Sequence, residues 1–322
     1  MNQHPSLLRA GWRTLKRRLR RTADFLFSGP RQRWVMGFFL LLTIAVIVSV
    51  IAGNWDLIRA YPWQIRPFWL LYAMIFLLLD MFLGAWVWHT LCARLADFDN
   101  LPQNIKIWWY ANLAKRIPGA VWYIANRALL YEQAQVSKLT ISLLSGLELA
   151  LIFVSGVITT LLTLPFWALP PALTDNVSQA WLLLLTALLC VALMHPNLLT
   201  ALWGRLNRRV PPRRLRWRDT LSWLLAYVLV WSVGGLVLFA VVNFLRPLPF
   251  SHLPAAIGMW ALASTLSLAG ALTFTSMGVR EISLTLLLTQ FMPFPVALIV
   301  TICTRVIWLI GEFITALISL KL

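Results

Sequence analysis

Seven ionisable residues fall inside otherwise apolar runs of this sequence: Asp80, His89, Glu148, Arg280, Glu281, Arg305 and Glu312. Each such charge costs about 2.5–3.5 kcal/mol at the centre of a bilayer on insertion scales, so a chain that keeps several must supply partners or a wet cavity. Glu148 shares a polar stripe with Ser145, Ser155 and Thr159, whose spacing puts all four on one helical face. A carboxylate there calls for a cation or hydrogen-bond donors. Gly278-Val279-Arg280-Glu281 opens a short helix after a break at Thr275-Ser276-Met277. A helix N-terminus with an arginine beside it suits an anion. Glu281 could cap the first turn or pair with a basic residue of another segment. Arg305 and Glu312 lie seven apart, two turns along one face. They fit either one cavity or a packed ion-pair network with Glu148 or Glu281.

A second polar concentration lies in residues 104–136. Trp108, Trp109 and Tyr110 precede Lys115-Arg116-Ile117-Pro118-Gly119, and Trp122, Tyr123 and Arg127 follow. Pro118-Gly119 breaks a helix. The segment reads as two short helices meeting at that break, an interfacial or re-entrant hairpin covered by protein or a wet cavity. Asp80 and His89 do not share a face and read as packing or interfacial groups. Asp97-Phe98-Asp99 has the spacing of a D-x-D metal–nucleotide-sugar pair, a weak signal in so short a triplet. The sequence contains no H-E-x-x-H, P-loop, G-x-S-x-G or G-x-G-x-x-G motif. Its three cysteines, Cys92, Cys190 and Cys303, have no zinc spacing and read as buried thiols. No catalytic residue, metal or cofactor is assigned from these patterns.

The elements that must hold these residues are membrane helices. Of 322 residues, 60% are hydrophobic and only 12% charged, which lipid accommodates and a soluble core of this size does not. The formal net charge of +17 falls in blocks between apolar runs, as in cytoplasmic loops of a membrane protein, and points away from nucleic acid. Apolar spans are expected at 35–53, 68–93, 139–164, 179–194, 220–245, 253–273 and 296–320, with a shorter apolar helix at 279–291. The fold class expected is an all-α polytopic membrane bundle of about eight spans, broken or re-entrant near 104–136 and 275–295. Residues 1–33 carry nine basic residues and read as an amphipathic helix on an anionic lipid surface, ahead of a single membrane domain at 34–322. Their long basic run and the 19-residue span after it suit a crossing better than a cleaved signal peptide. Twenty-two basic residues fall in segments assigned to the cytoplasm, against Arg59, Arg66 and Arg246 outside, so both termini are expected to be cytoplasmic.

Taken in order, these blocks resemble a known family. Lys115-Arg116-Ile117-Pro118-Gly119 followed by Arg127 is similar to its K-x-[ILV]-P-G…R block, and Glu148 falls where the family carries a glutamate in the next span. His195-Pro196-Asn197, then Tyr227 through Trp231 and Gly234, is similar to its H-P…W…G stretch. Residues 275–281 resemble P-x-G-[LI]-G-V-R-E, with Thr275-Ser276-Met277 replacing the expected Pro and Gly. Ala297…Arg305…Glu312 resembles an A…R…E ending. The family is the flippase-like transmembrane domain of lysylphosphatidylglycerol synthases, here over residues 35–320 and without the soluble aminoacyl transferase domain. The resemblance implies an inner-membrane protein that binds or flips a lipid with a charged or glycosylated head group. Arg116, Arg127, Arg280 and Arg305 would meet a phosphate. Glu148, Glu281 and Glu312 would position those arginines or meet amines, and Pro118, Gly119 and Gly278 would shape the cavity. Two other roles fit the same sequence: an accessory partner of a glycosyltransferase or lipid-modifying enzyme, and a membrane-embedded transferase using Asp97 and Asp99.

Overall fold

The computed structural model describes residues 48–49, 52–113, 120–167, 192, 194–206, 215–271 and 278–319. The chain divides into two compact units, residues 1–61 and 62–322. In the first, the helix α1 covers Trp55–Ala60. The second holds α2 (Phe68–Leu95), α3 (Leu101–Leu113), α4 (Ala120–Gln133), α5 (Lys138–Thr163), α6 (Pro196–Leu206), α7 (Trp217–Leu245), α8 (Leu253–Ala271), α9 (Val279–Leu288) and α10 (Phe294–Ser319). No strand occurs among the described residues. In lipid a backbone must satisfy its own polar groups, which helices do within one segment.

Five helices are long and apolar enough to cross a membrane: those of Phe68–Leu95, Lys138–Phe166, Trp217–Leu245, Phe250–Gly270 and Phe294–Ser319. They match the expected spans to within a few residues. The expected spans at 35–53 and 179–194 lie almost wholly outside the described residues. The expected short helix at 279–291 ends at Leu288. Its ten residues reach only about 15 Å, half of a ~30 Å hydrocarbon core, so it is not a crossing. The segment at 104–136 likewise contains two helices, α3 and α4, each too short to cross.

α7 is the central helix of the second unit and packs against α2, α5, α8 and α10. It lies antiparallel to α2, and the pair is tied at both ends. The backbone N–H groups of Gln64 and Arg66 donate to the carbonyls of Leu245 and Phe244, at 3.2 and 2.9 Å. At the opposite end the Arg94 guanidinium donates to Asp219 at 3.1 Å. Asp219 also accepts from the backbone N–H of Arg216 at 2.9 Å, closing the first turn of α7. Gly235 of α7 lets α8 approach so closely that a Cβ there would stand 2.4 Å from the Ile257 Cα. This is small-residue packing, which replaces hydrophobic pressure between helices in lipid.

The two pairs of short or interrupted helices enter this frame from opposite ends. α3 and α4 join at the Arg94 end, where Asn104 Nδ2 donates to the Phe98 carbonyl at 3.2 Å and the Phe98 and Tyr131 rings meet at 5.5 Å. α3 reaches mid-depth, since Trp109 Nε1 donates to the Met81 carbonyl halfway along α2, at 3.1 Å. α8 begins at the other end: Phe250, just before it, packs on Trp69 and Phe239. α9 returns to that end, where the Arg246 guanidinium donates to the Phe291 carbonyl at 2.6 Å and the His252 and Phe291 rings meet at 5.1 Å.

Candidate functional site

Glu148 stands ten residues into α5, ~15 Å from the start of that helix and near the middle of a bilayer-length span. Its side chain is fully buried, together with Ser145, Ser155 and Thr159 of the same stripe. The carboxylate is held by groups from three other helices. Oε1 accepts from Trp108 Nε1 of α3 at 2.9 Å and from the Tyr227 hydroxyl of α7 at 3.3 Å. Oε2 accepts from the Tyr123 hydroxyl at 3.0 Å and from the Arg127 guanidinium at 2.5 Å, both of α4.

Arg127 has no solvent exposure. Its guanidinium lies 3.9 Å from the Trp88 ring centroid and 4.3 Å from that of Tyr123, and it also donates to the Tyr123 hydroxyl. A cation between two aromatic faces and against a carboxylate satisfies the desolvation requirement for a buried charge. The expectation that Arg127 meets a lipid phosphate does not describe this conformation, because its donors face Glu148 and aromatic rings. Two polar atoms beside the pair, Arg127 Nε and Ser145 Oγ, are buried without a hydrogen-bond partner among the described residues. Such groups cost about 1–3 kcal/mol each.

A polar path leads from this pair to the Arg94 end. Trp88 Nε1 donates to the Tyr131 hydroxyl at 2.7 Å, and Tyr131 donates to Asn104 Oδ1. Asn104 Nδ2 lies 2.9 Å from His89 Nδ1, and His89 Nε2 lies 3.4 Å from the exposed Asp99 carboxylate. With Nδ1 as acceptor, the neutral imidazole carries its proton on Nε2, toward Asp99. Asp99 of the D-x-D triplet is thus a partner of His89.

The second cluster gathers three of the predicted residues. Gly278 adopts φ 86°, a backbone region that side-chain-bearing residues rarely occupy, and turns the chain into α9. Glu281 of α9 accepts a hydrogen bond from Arg305 of α10, while the Arg280 guanidinium lies 3.8 Å from the same carboxylate oxygen. Arg280 also lies 5.2 Å from the Trp260 ring centroid, and Trp260 stacks on Trp308 at 4.5 Å. Glu281 therefore joins another segment, one of the two roles expected for it, and no side-chain cap is formed at this helix start. Arg305 stands eleven residues into α10, ~16 Å from its start. Unlike the first pair, this cluster is partly exposed, at 24% for Arg280, 21% for Glu281 and 44% for Arg305. Glu312 is half-buried on the same helix as Arg305, one and a half to two turns further along. Arg116, Pro118 and Gly119 lie outside the described residues.

No protein-family model matches the sequence, and no curated protein matches it.

What sequence reasoning missed is the aromatic cradle. Trp88, Trp108, Tyr123 and Tyr227 supply donors and ring faces to the Arg127–Glu148 pair. Their signal was present: Tyr123 and Arg127 are four apart, on one face of α4. A cavity of about 650 Å³ opens among Asn100, Gln103, Lys106, Tyr110, Gln133 and Ser319, beside α3, α4 and the end of α10, and is lined by neither cluster.

Proposed function

We propose that this chain is an integral inner-membrane protein that binds and moves a lipid with a charged or glycosylated head group. The observation that carries this reading is the meeting of Arg280, Glu281 and Arg305 at mid-depth of a helical bundle, with part of each side chain exposed. Charges at that depth are stable against water or a polar ligand and not against acyl chains. Guanidinium groups beside an aromatic pair suit a phosphodiester, through charge-assisted and bidentate hydrogen bonds. Interrupted helices meeting near the midplane are the usual frame for such a site. The resemblance to the flippase-like domain of lysylphosphatidylglycerol synthases agrees with this reading. The Arg94 end faces the cytoplasm in this reading, on the excess of Lys and Arg in its loops.

The test is reconstitution of the purified full chain into liposomes carrying fluorescent phosphatidylglycerol, phosphatidylethanolamine or a glycolipid. Wild type is expected to speed transbilayer exchange of at least one of them. Arg280→Ala and Arg305→Ala are expected to lose about tenfold or more, the effect of removing one charge-assisted contact. Lys138→Ala, at an exposed pair with Glu132, should retain the wild-type rate. A wild-type chain that neither binds nor moves any of these lipids overturns the reading, as do full rates in both arginine variants.

A further inference from the structure

We infer that residues 68–163 and 217–319 are two inverted copies of one four-helix unit, and that the Arg127–Glu148 pocket is a second head-group site equivalent to the Arg280–Glu281–Arg305 site. The inference rests on the lipid-moving reading for the ligand, but its geometry stands alone. Each copy is a long helix, two helices that form a hairpin, and a second long helix: α2, α3–α4, α5 and α7, α8–α9, α10. Exchanging the copies reproduces the packing. α2 packs on α3 as α7 packs on α8, and α3 packs on α10 as α8 packs on α5. α4 packs on α5 as α9 packs on α10, and α2 packs on α10 as α7 packs on α5. The copies are inverted because α2 and α7 are antiparallel and the two hairpins enter from opposite ends.

The correspondence extends to single residues. Trp108 and Trp260 each stand seven residues after the start of their helix, α3 and α8. Each rests on a glycine of the preceding long helix. A Cβ at Gly84 would lie 2.8 Å from the Trp108 ring, and one at Gly234 would lie 2.3 Å from Trp260 Nε1. Gly84 and Gly234 are sixteen and seventeen residues into α2 and α7. Each tryptophan also lies against a charged cluster that joins the second hairpin helix to the last long helix. Trp108 donates to Glu148, which pairs with Arg127, while Trp260 lies under Arg280, whose guanidinium stands beside the Glu281–Arg305 pair, where the signs are exchanged. Glu148 and Arg305 are ten and eleven residues into α5 and α10.

Equivalent sites in inverted copies would be alike in a symmetric protein. Here one pair is fully buried and the other partly exposed, so the structure holds one of two states. In the alternative state the first pocket opens toward the Arg94 end and the second is covered. Arg127 Nε and Ser145 Oγ, buried and lacking hydrogen-bond partners among the described residues, sit where an incoming head group would supply them. Removing the Glu148 charge leaves Arg127 buried and uncompensated, which disfavours the present state. Removing the Glu281 charge does the same to the alternative state.

The test is labelling by a membrane-impermeant maleimide applied to either face of oriented vesicles holding the full chain, with Cys92, Cys190 and Cys303 replaced by serine. Ser145→Cys reports the first pocket. Ser267→Cys, half-buried and two turns beyond Trp260 on the same face of α8, reports the second. With the native charges, Ser267→Cys is expected to label from the Arg246 face and Ser145→Cys, whose oxygen is buried, to resist. Adding Glu148→Gln should raise labelling of Ser145→Cys from the Arg94 face by about tenfold and lower that of Ser267→Cys, the reciprocal change that a two-state equilibrium requires. Adding Glu281→Gln should leave the native pattern in place and stop the exchange. Should Glu148→Gln fail to insert, Trp108→Phe removes one donor to the same carboxylate and is expected to act in the same direction. Labelling that rises at one pocket with no fall at the other overturns the inference, as does labelling of both pockets from the same face. Labelling requires no lipid to move, so reciprocal labelling without lipid exchange would retire the lipid reading and keep the repeat. Lipid exchange without reciprocity would do the opposite.

Discussion

The buried pair of Arg127 and Glu148 concentrates the largest single-residue consequences. Glu148 accepts from an indole, two phenols and a guanidinium, and each neutral donor contributes on the order of 1 kcal/mol. The charged pair differs, since removing one partner strands the other in a low dielectric at about 3–5 kcal/mol. Glu148→Gln is therefore expected to lower the unfolding free energy in detergent by several times as much as Tyr227→Phe, measured by denaturant titration. Equal losses would mean that Arg127 finds another counter-charge. The sequence made half of this legible. The stripe of Ser145, Glu148, Ser155 and Thr159 identified a buried face, and all four residues are buried. It did not make Arg127 legible as the counter-ion, because cationic residues in a short broken segment read equally well as ligands for a phosphate. Tyr and Trp near such a segment likewise read as interfacial anchors when their partners on other helices are unknown.

Among the elements, the long helices were legible because a bilayer sets their length and their side chains announce its solvent. The hairpins were legible as pairs of helices, α3 with α4 and α8 with α9, but not as structures entering from opposite ends. Direction depends on pairings such as Arg246 with Phe291 and Asn104 with Phe98, which join residues far apart in sequence or carry no pattern. Interhelical distance at this scale is set by glycines. Gly235→Leu would drive a side chain into the Ile257 backbone, and overpacking of this kind costs about 1–3 kcal/mol. Gly146→Ala, on α5 with nothing within 4 Å of the added carbon, should be neutral or stabilising by up to ~1 kcal/mol through helix propensity. Thermal unfolding of the two purified variants checks the contrast. A harmless Gly235→Leu would mean that α7 and α8 separate more easily than their packing implies.

For the whole molecule, the fold class was the most legible feature and internal symmetry the least. An inverted copy preserves depth, neighbours and the position of a glycine under a tryptophan, and none of these requires matching residues along the chain. The Arg127–Glu148 and Glu281–Arg305 pairs even exchange signs between the copies. Topology offers a direct check. Gln135, in the turn between α4 and α5, and Leu248, between α7 and α8, lie at opposite ends of the bundle. An epitope inserted after Gln135 should be read from the cytoplasmic face of intact vesicles, and one after Leu248 from the other face. Detection of both from one face would show that α5 and α7 do not cross in the same direction.

The antiparallel α2–α7 pair is fastened near both extremities, by backbone hydrogen bonds at residues 64–66 and 244–245 and by Arg94 with Asp219. A slip of one helical turn, about 5.4 Å, would sever both fastenings at once. The pair is thus expected to act as a spindle that tilts or rolls more readily than it pistons. Displacement then falls to the arms on either side of it, and cross-linking α2 to α7 should leave the proposed lipid exchange intact while cross-linking an arm to the spindle should arrest it.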